Sequence, residues 1–235
     1  MILDFLQNYP FILAFILGLI PALIWLWFWL KEDIHHEPAR MITLSFLGGM
    51  AAVLVALPLE KVVYNYFADQ AYTSFILWGA IEEITKFALI YFIALRNKCT
   101  DEPMDDIIYM IVGALGFVTM ENTLFLIPTI HSGDIVDTVV HGNLRFIGAS
   151  LLHIMSSATI GVCVAMSYYK PTQEKVFLGL FGIFIAIVLH TCFNLFIING
   201  TEANILLIFG MVWLGIIILL SLFERVKHID KPKLI

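Results

Sequence analysis

The chain has 235 residues, of which 60% are hydrophobic and 14% are charged, and its formal net charge is -6. A soluble domain carries roughly a quarter charged residues, so this composition excludes an ordinary soluble protein and predicts a polytopic membrane protein. The charge is modest, and no basic stripe or nucleic-acid-binding motif is present, so we expect no nucleic-acid partner.

Seven segments are long and apolar enough to cross a bilayer, for which about 20 residues are needed. In chain order they cover residues 11–30, 41–59, 71–95, 107–130, 146–168, 176–198 and 204–223. Only short polar segments separate them. Because helices satisfy their own backbone hydrogen bonds in lipid, the sequence predicts an all-α fold. The expected architecture is a polytopic membrane bundle of about seven transmembrane helices, forming a single domain over residues 1–235.

Lysine and arginine are distributed unevenly between alternate loops. One set of loops, together with the C-terminal tail, holds ten of the thirteen, the other set holds two, and Lys86 lies inside the third span. The positive-inside rule therefore predicts an N-terminus outside and a C-terminus in the cytoplasm. We expect a multi-pass protein of the cell membrane.

Ionisable and amide side chains interrupt four of the apolar spans. They are Glu82, Glu83 and Lys86 in the third span, Glu121 and Asn122 in the fourth, His153 in the fifth, and His190 and Asn194 in the sixth. A charge at the bilayer centre costs about 2.5–3.5 kcal/mol on insertion scales, so such residues normally face the bundle interior.

One ionisable residue on each of these spans lies 13 to 15 residues from its cytoplasmic end: Glu82, Glu121, His153 and His190. At 1.5 Å per residue this depth is roughly 20 Å. The hydrocarbon core is about 30 Å thick, so the sequence predicts a single polar layer nearer the outer face.

The spacing on the third span suggests how its charges pair. Glu82 and Lys86 are four residues apart and can form an ion pair on one helix face, while Glu83 lies about 100° around the helix. Counted with Glu121, three carboxylates face one lysine. The two uncompensated negative charges call for bound protons or a bound cation.

Two histidines, a carboxylate and a water form a known catalytic zinc arrangement. The predicted metal ligands are Glu121, His153 and His190. A further carboxylate beside such a site could act as general base. Zn²⁺ is the metal that these ligand types favour, and metal-free glutamate chemistry is the open alternative.

Four motifs occur in order along the chain. They are EEITK (Glu82 to Lys86), FVTMEN (Phe117 to Asn122), His153 and HTCFN (His190 to Asn194), and the loop HHEPAR adds an acidic E-P signature. Together they resemble the PrsW family of intramembrane proteases, which is distantly related to the CAAX-prenyl endoproteases.

The resemblance implies cleavage of a membrane-anchored protein at the outer side of a bacterial cytoplasmic membrane. In Gram-positive bacteria the family's role is site-1 cleavage of an anti-sigma factor, which leads to sigma-factor activation under stress. The resemblance leaves the mechanism open. Its members are classed as metallopeptidases, whereas the prenyl proteases look like metal-free glutamate proteases and carry His where this chain has Glu121.

The resulting hypothesis is an intramembrane peptidase that acts, within the lipid bilayer, on an anti-sigma-factor-like protein. A glutamate of the third span takes a proton from water as general base, and groups of the sixth span or a metal stabilise the oxyanion. The residues assigned to catalysis are Glu82, Glu83, Lys86, His153, His190 and Asn194. Two alternatives remain: a proton- or cation-coupled transporter, since buried Glu and His chains also relay protons, and a non-catalytic scaffold, which would tolerate Glu82→Gln.

Overall fold

The computed structural model describes residues 9–33, 35–131, 135–199 and 202–229, and the regular structure in these ranges is entirely helical. The helices are α1 (Pro10–Leu30), α2 (Ala39–Phe67), α3 (Ala71–Ile90), α4 (Pro103–His131), α5 (Ile135–Met166), α6 (Thr172–Asn199) and α7 (Glu202–Val226). A π-helical segment, Tyr91–Leu95, continues α3. The predicted all-α membrane bundle is confirmed.

Five of the helices are long and apolar enough, over their described residues, to cross a membrane: α1, α2, α4, α5 and α6. Helix α3 is of similar length, and Glu82, Glu83 and Lys86 interrupt its apolar sequence. These three residues are buried, so the outside of α3 presents its apolar side chains to the surroundings.

Two helices extend well beyond the predicted spans. Helix α2 continues from residue 59 to Phe67, and α5 begins at Ile135 instead of residue 146. The prediction followed the apolar stretch, but a helix can continue through polar residues that meet the membrane–water interface. The start of α4 follows from its own sequence. Pro103 is the first residue of the helix, and Asp105 accepts hydrogen bonds from the backbone N–H groups of the two residues before Pro103.

The segments that hold most of the basic residues meet at one end of the bundle. His35 in the α1–α2 loop contacts Glu102 before α4 at 2.8 Å. Tyr168 after α5 donates to the carbonyl of Thr100 at 3.0 Å. Lys227 after α7 donates to Glu32 at 3.1 Å. The positive-inside rule predicts that this shared end faces the cytoplasm.

Helix α4 is the central element of the bundle, since every residue from 103 to 119 is buried. A helix that is buried all round belongs in the core. Glycines bring α2 and α4 into direct backbone contact: a Cβ at Gly49 would overlap the carbonyl of Gly113, and one at Gly116 would overlap the carbonyl of Phe46. This close crossing fixes the position of α4 just before the segment that carries Glu121 and Asn122.

Candidate active site

Side chains from α3, α4, α5 and α6 meet in one buried group, here called the polar cluster. Its members are Glu82, Glu83, Lys86, Glu121, His153, Ser156, Ser157 and His190. The predicted polar layer is therefore present as a set of direct contacts. Glu121 is its most accessible member, with 27% of its side chain exposed, while the side chains of Glu83 and Lys86 are fully buried.

Glu83 is the best-satisfied group of the cluster. Its Oε1 accepts hydrogen bonds from Lys86 Nζ at 2.6 Å and from His190 Nδ1 at 2.7 Å. Ser156 Oγ donates to the same oxygen at 2.9 Å, and Ser157 Oγ donates to Oε2 at 3.3 Å. Donors to a carboxylate stabilise its ionised form, so Glu83 is a charged anchor that joins α3 to α5 and α6.

The predicted pairing of Lys86 with Glu82 is wrong, because the lysine bonds Glu83 instead. Residues three apart are neighbours on a helix just as residues four apart are. Glu83 faces the bundle interior together with Lys86, and the donors from α5 and α6 converge on it there. The ammonium also lies 4.8 Å from the centroid of the buried Phe117 ring, a cation–π contact.

The contacts of the two histidines define which nitrogen carries the proton. Lys86 Nζ lies 2.9 Å from His153 Nδ1, and an ammonium can only donate, so Nδ1 is the acceptor. His153 Nε2 then carries the hydrogen and donates to Glu121 Oε2 at 2.9 Å. His190 donates from Nδ1 to Glu83, which leaves a lone pair on its Nε2.

Glu82 differs from Glu83 in having an oxygen that no protein group satisfies. Its Oε2 is buried and has no hydrogen-bond partner within the described part of the chain. The oxygen lies 3.6 Å from His190 Nε2 and 3.9 Å from His153 Nδ1, too far for direct hydrogen bonds. Buried polar atoms are rarely left unbonded, so this position suits a water molecule or a metal ion.

The donor set around this oxygen fits a zinc ion. Glu82, His153 and His190 each offer a ligand atom, all within 4.8 Å of one another. Tetrahedral ligands about 2.1 Å from zinc lie roughly 3.4 Å apart, close to the distances from Glu82 Oε2. The bond from His190 Nδ1 to Glu83 is also typical of a metal-binding histidine. For His153 Nδ1 to bind the metal, its hydrogen bond with Lys86 Nζ has to break.

Glu121, a member of the predicted ligand trio with His153 and His190, is not one of the three residues whose ligand atoms lie within 4.8 Å of one another. It bonds the Nε2 edge of His153, on the far side of the ring from the other donors. Glu82 is the carboxylate of that group, because α3 is rotated so that its Oε2 lies 3.6 Å from His190 Nε2 and 3.9 Å from His153 Nδ1.

A glycine allows α6 to approach α3 closely enough for His190 to reach Glu83. A Cβ at Gly79 would lie 3.1 Å from Thr191 Oγ1 and 3.6 Å from His190 Cγ. Any larger side chain at residue 79 would therefore push against the segment that carries the histidine.

Two amide residues singled out in the sequence stay outside the hydrogen-bond network. Asn194 is half-buried one turn after His190, and no hydrogen bond joins it to the cluster among the described residues. Asn122 is buried, and neither of its side-chain atoms has a partner in that part of the chain. Sequence reasoning gave no role to Ser156; its position three residues after His153 was the available signal.

Comparison with known proteins places these residues in a family context. The family model described as "PrsW family intramembrane metalloprotease" matches residues 37–222. "Protease PrsW" of Clostridioides difficile (strain 630) is 29% identical over 226 residues, covering 92% of this chain and 93% of that protein. "Protease PrsW" of Halalkalibacterium halodurans is 27% identical over 175 residues, covering 71% and 74%. "Protease PrsW" of Geobacillus kaustophilus is 32% identical over 149 residues, covering 61% and 60%. No solved structure matches.

Proposed function

Because the chain belongs to the PrsW family of intramembrane metalloproteases, we propose that its polar cluster hydrolyses a peptide bond of a membrane-anchored protein near the outer face of the membrane. The protein is a peptidase of a bacterial membrane, and family membership displaces the transporter and scaffold alternatives. The finer proposal is that the substrate is an anti-sigma factor, whose cleavage starts sigma-factor activation.

The observation that carries the mechanism is the difference between the two adjacent glutamates. Both oxygens of Glu83 accept hydrogen bonds from protein groups, four in all, so this carboxylate is already engaged in holding the cluster together. Glu82 has a buried oxygen that faces two imidazoles and bonds neither. Glu82 is therefore the proposed general base.

In the proposed reaction, a water beside Glu82 loses a proton to the carboxylate as its oxygen attacks the carbonyl carbon of the scissile bond. The carbon–nitrogen bond then breaks, and Glu82 returns the proton to the departing amine. A zinc ion held by Glu82, His153 and His190 would polarise the substrate carbonyl and lower the pKa of the attacking water.

The tautomers restrict what the histidines can do. With its Nδ1–H donated to Glu83, a neutral His190 carries a lone pair on Nε2 and cannot donate to an oxyanion. Its proposed role is to hold the water or metal. The Asn194 amide, on the same helix, is the proposed donor to the carbonyl oxygen of the substrate. Lys86 keeps Glu83 and His153 in place.

The test is cleavage of a membrane-anchored anti-sigma factor by the purified protein in lipid nanodiscs. Wild type is compared with Glu82→Gln and Glu83→Gln, each with and without a strong chelator. Glu174→Gln is the matched control, because Glu174 is an exposed carboxylate at the start of α6 whose lysine partner is 3.8 Å away.

We expect product from wild type and the control only, with loss of product in chelator. Cleavage that survives Glu82→Gln would refute the assignment of the base. An uncut substrate with wild type would refute the anti-sigma-factor proposal, and a panel of other single-span membrane proteins would then test the peptidase activity.

A further inference from the structure

Two adjacent serines of α5 hold both oxygens of Glu83. Ser156 Oγ donates to Oε1 at 2.9 Å, and Ser157 Oγ donates to Oε2 at 3.3 Å. Both serines are completely buried. Successive helical residues diverge by about 100°, so two neighbouring hydroxyls reach one carboxylate only when it lies between their two directions.

We propose that Ser156 and Ser157 are positioning residues for peptide hydrolysis: their hydroxyls fix the orientation of the Glu83 carboxylate, and Glu83 in turn aims His190 at the reacting water. This inference rests on the function proposed above. The serines contact Glu83 and act through it.

The ordinary role of a serine inside a helix is a hydrogen bond to the carbonyl one turn earlier. Ser156 has that option, since its Oγ lies 3.0 Å from the carbonyl of Leu152. Its single proton goes to one acceptor at a time, and an ionised carboxylate is a stronger acceptor than a backbone carbonyl. Ser157 has Glu83 as the acceptor of its described hydrogen bond.

The geometry explains why this orientation matters. Oε1 of Glu83 already receives Lys86 and His190, which come from different helices and pull the carboxylate in different directions. Ser157 bonds the opposite oxygen and prevents rotation about the last side-chain bond. If the carboxylate rotates, His190 Nδ1 loses its acceptor, and Nε2 moves away from Glu82 Oε2, 3.6 Å distant.

The chain offers a matched control in the same helix. Ser150 is also buried, but its Oγ has no hydrogen-bond partner among the described residues. Ser150→Ala therefore removes a hydroxyl of the same kind from α5 without removing a bond to Glu83.

The experiment measures kcat and KM separately for wild type, Ser156→Ala, Ser157→Ala, the double variant and Ser150→Ala, in nanodiscs with a membrane-anchored substrate. Misplacement of a reacting group by an ångström can cost about 100-fold in rate, so we expect the double variant to lose roughly 10- to 100-fold in kcat. KM should stay close to that of wild type and Ser150→Ala, while the melting temperature of the double variant should fall because the buried carboxylate loses two donors. Ser157→Thr, which keeps the hydroxyl, should recover most of the rate lost in Ser157→Ala.

A second measurement does not depend on activity. The proton between His190 Nδ1 and Glu83 should give a low-field ¹H resonance in protein labelled with ¹⁵N-histidine, and the double serine variant should shift or broaden it. If wild type cleaves no membrane-anchored substrate, the proposed function fails, while this resonance still tests the positioning role. An unchanged resonance, or an unchanged kcat in the double variant, overturns the inference.

Discussion

Substitution by glutamine should lower the stability of the protein at Glu83 but not at the adjacent Glu82. In Glu83→Gln, the buried Lys86 loses its anionic partner, and the amide group cannot accept all the donors that converge there. Removing one partner of a buried ion pair costs about 3–5 kcal/mol, so we expect a large loss of stability together with a loss of activity.

Glu82→Gln removes much less from the fold. Its Oε2 makes no hydrogen bond within the described residues, and the change takes a buried negative charge out of the bundle. We expect an unfolding free energy equal to or above that of wild type. Activity should nevertheless fall by about 10²–10⁴, the typical contribution of a general base.

The assay is reversible unfolding in mixed micelles with increasing denaturing detergent, followed by tryptophan fluorescence, in parallel with the cleavage assay. Glu174→Gln serves as the control for loss of a carboxylate. A double-mutant cycle with Lys86→Met should show that Glu83→Gln is less damaging when the lysine is absent. Equal destabilisation by Glu82→Gln and Glu83→Gln would refute the distinction between anchor and base.

Three further predictions follow from the same structure. Lys86→Met frees Nδ1 of His153 and removes a nearby positive charge, so isothermal titration calorimetry should show tighter Zn²⁺ binding than in wild type, and unchanged affinity would contradict the shared use of that nitrogen. Gly116→Ala forces a methyl group into the carbonyl of Phe46 and should lower the unfolding free energy by about 1–3 kcal/mol or more, whereas Gly179→Ala, which meets nothing within 4 Å, should be neutral. Burial raises the pKa of Glu37 in the α1–α2 loop, so the folded state holds this proton more tightly than the unfolded state. The resulting stabilisation is present at low pH and is lost as the pH rises from about 4 through the raised pKa. Glu37→Gln should flatten that decline in a melting-temperature series between pH 4 and 8, and an unchanged pH profile would contradict the assignment.

The sequence supported the prediction of the polar layer because depth in a membrane helix can be counted in residues. Each span has a defined cytoplasmic end, and a rise of 1.5 Å per residue places Glu82, Glu121, His153 and His190 at one level. The insertion cost of charged groups then required that they face inward. Both arguments need only the position of a residue along its helix. The structure agrees with them, since the four side chains meet in the polar cluster.

Pairing within the layer was beyond sequence reasoning because it depends on how each helix is rotated. Lys86 can reach residues three or four positions earlier, and only the donors on α5 and α6 decide that it bonds Glu83. The choice between Glu82 and Glu121 beside the imidazoles is decided in the same way. The two serines were inconspicuous because serine in a membrane helix normally bonds its own backbone.

The three carboxylates of the polar cluster, Glu82, Glu83 and Glu121, differ in how well neighbouring groups compensate their negative charge. Glu83 is compensated by Lys86 and by neutral donors, and Glu121 receives the Nε2–H of His153. Glu82 Oε2, in contrast, is buried and lies 3.6 Å and 3.9 Å from two imidazole nitrogens, with no hydrogen-bond partner in the described part of the chain. A cluster that satisfied all its members internally would bind neither a water nor a cation. Because this oxygen has no hydrogen-bond partner among the described residues, a water or cation bound there would lie beside the proposed base, as hydrolysis within a membrane requires.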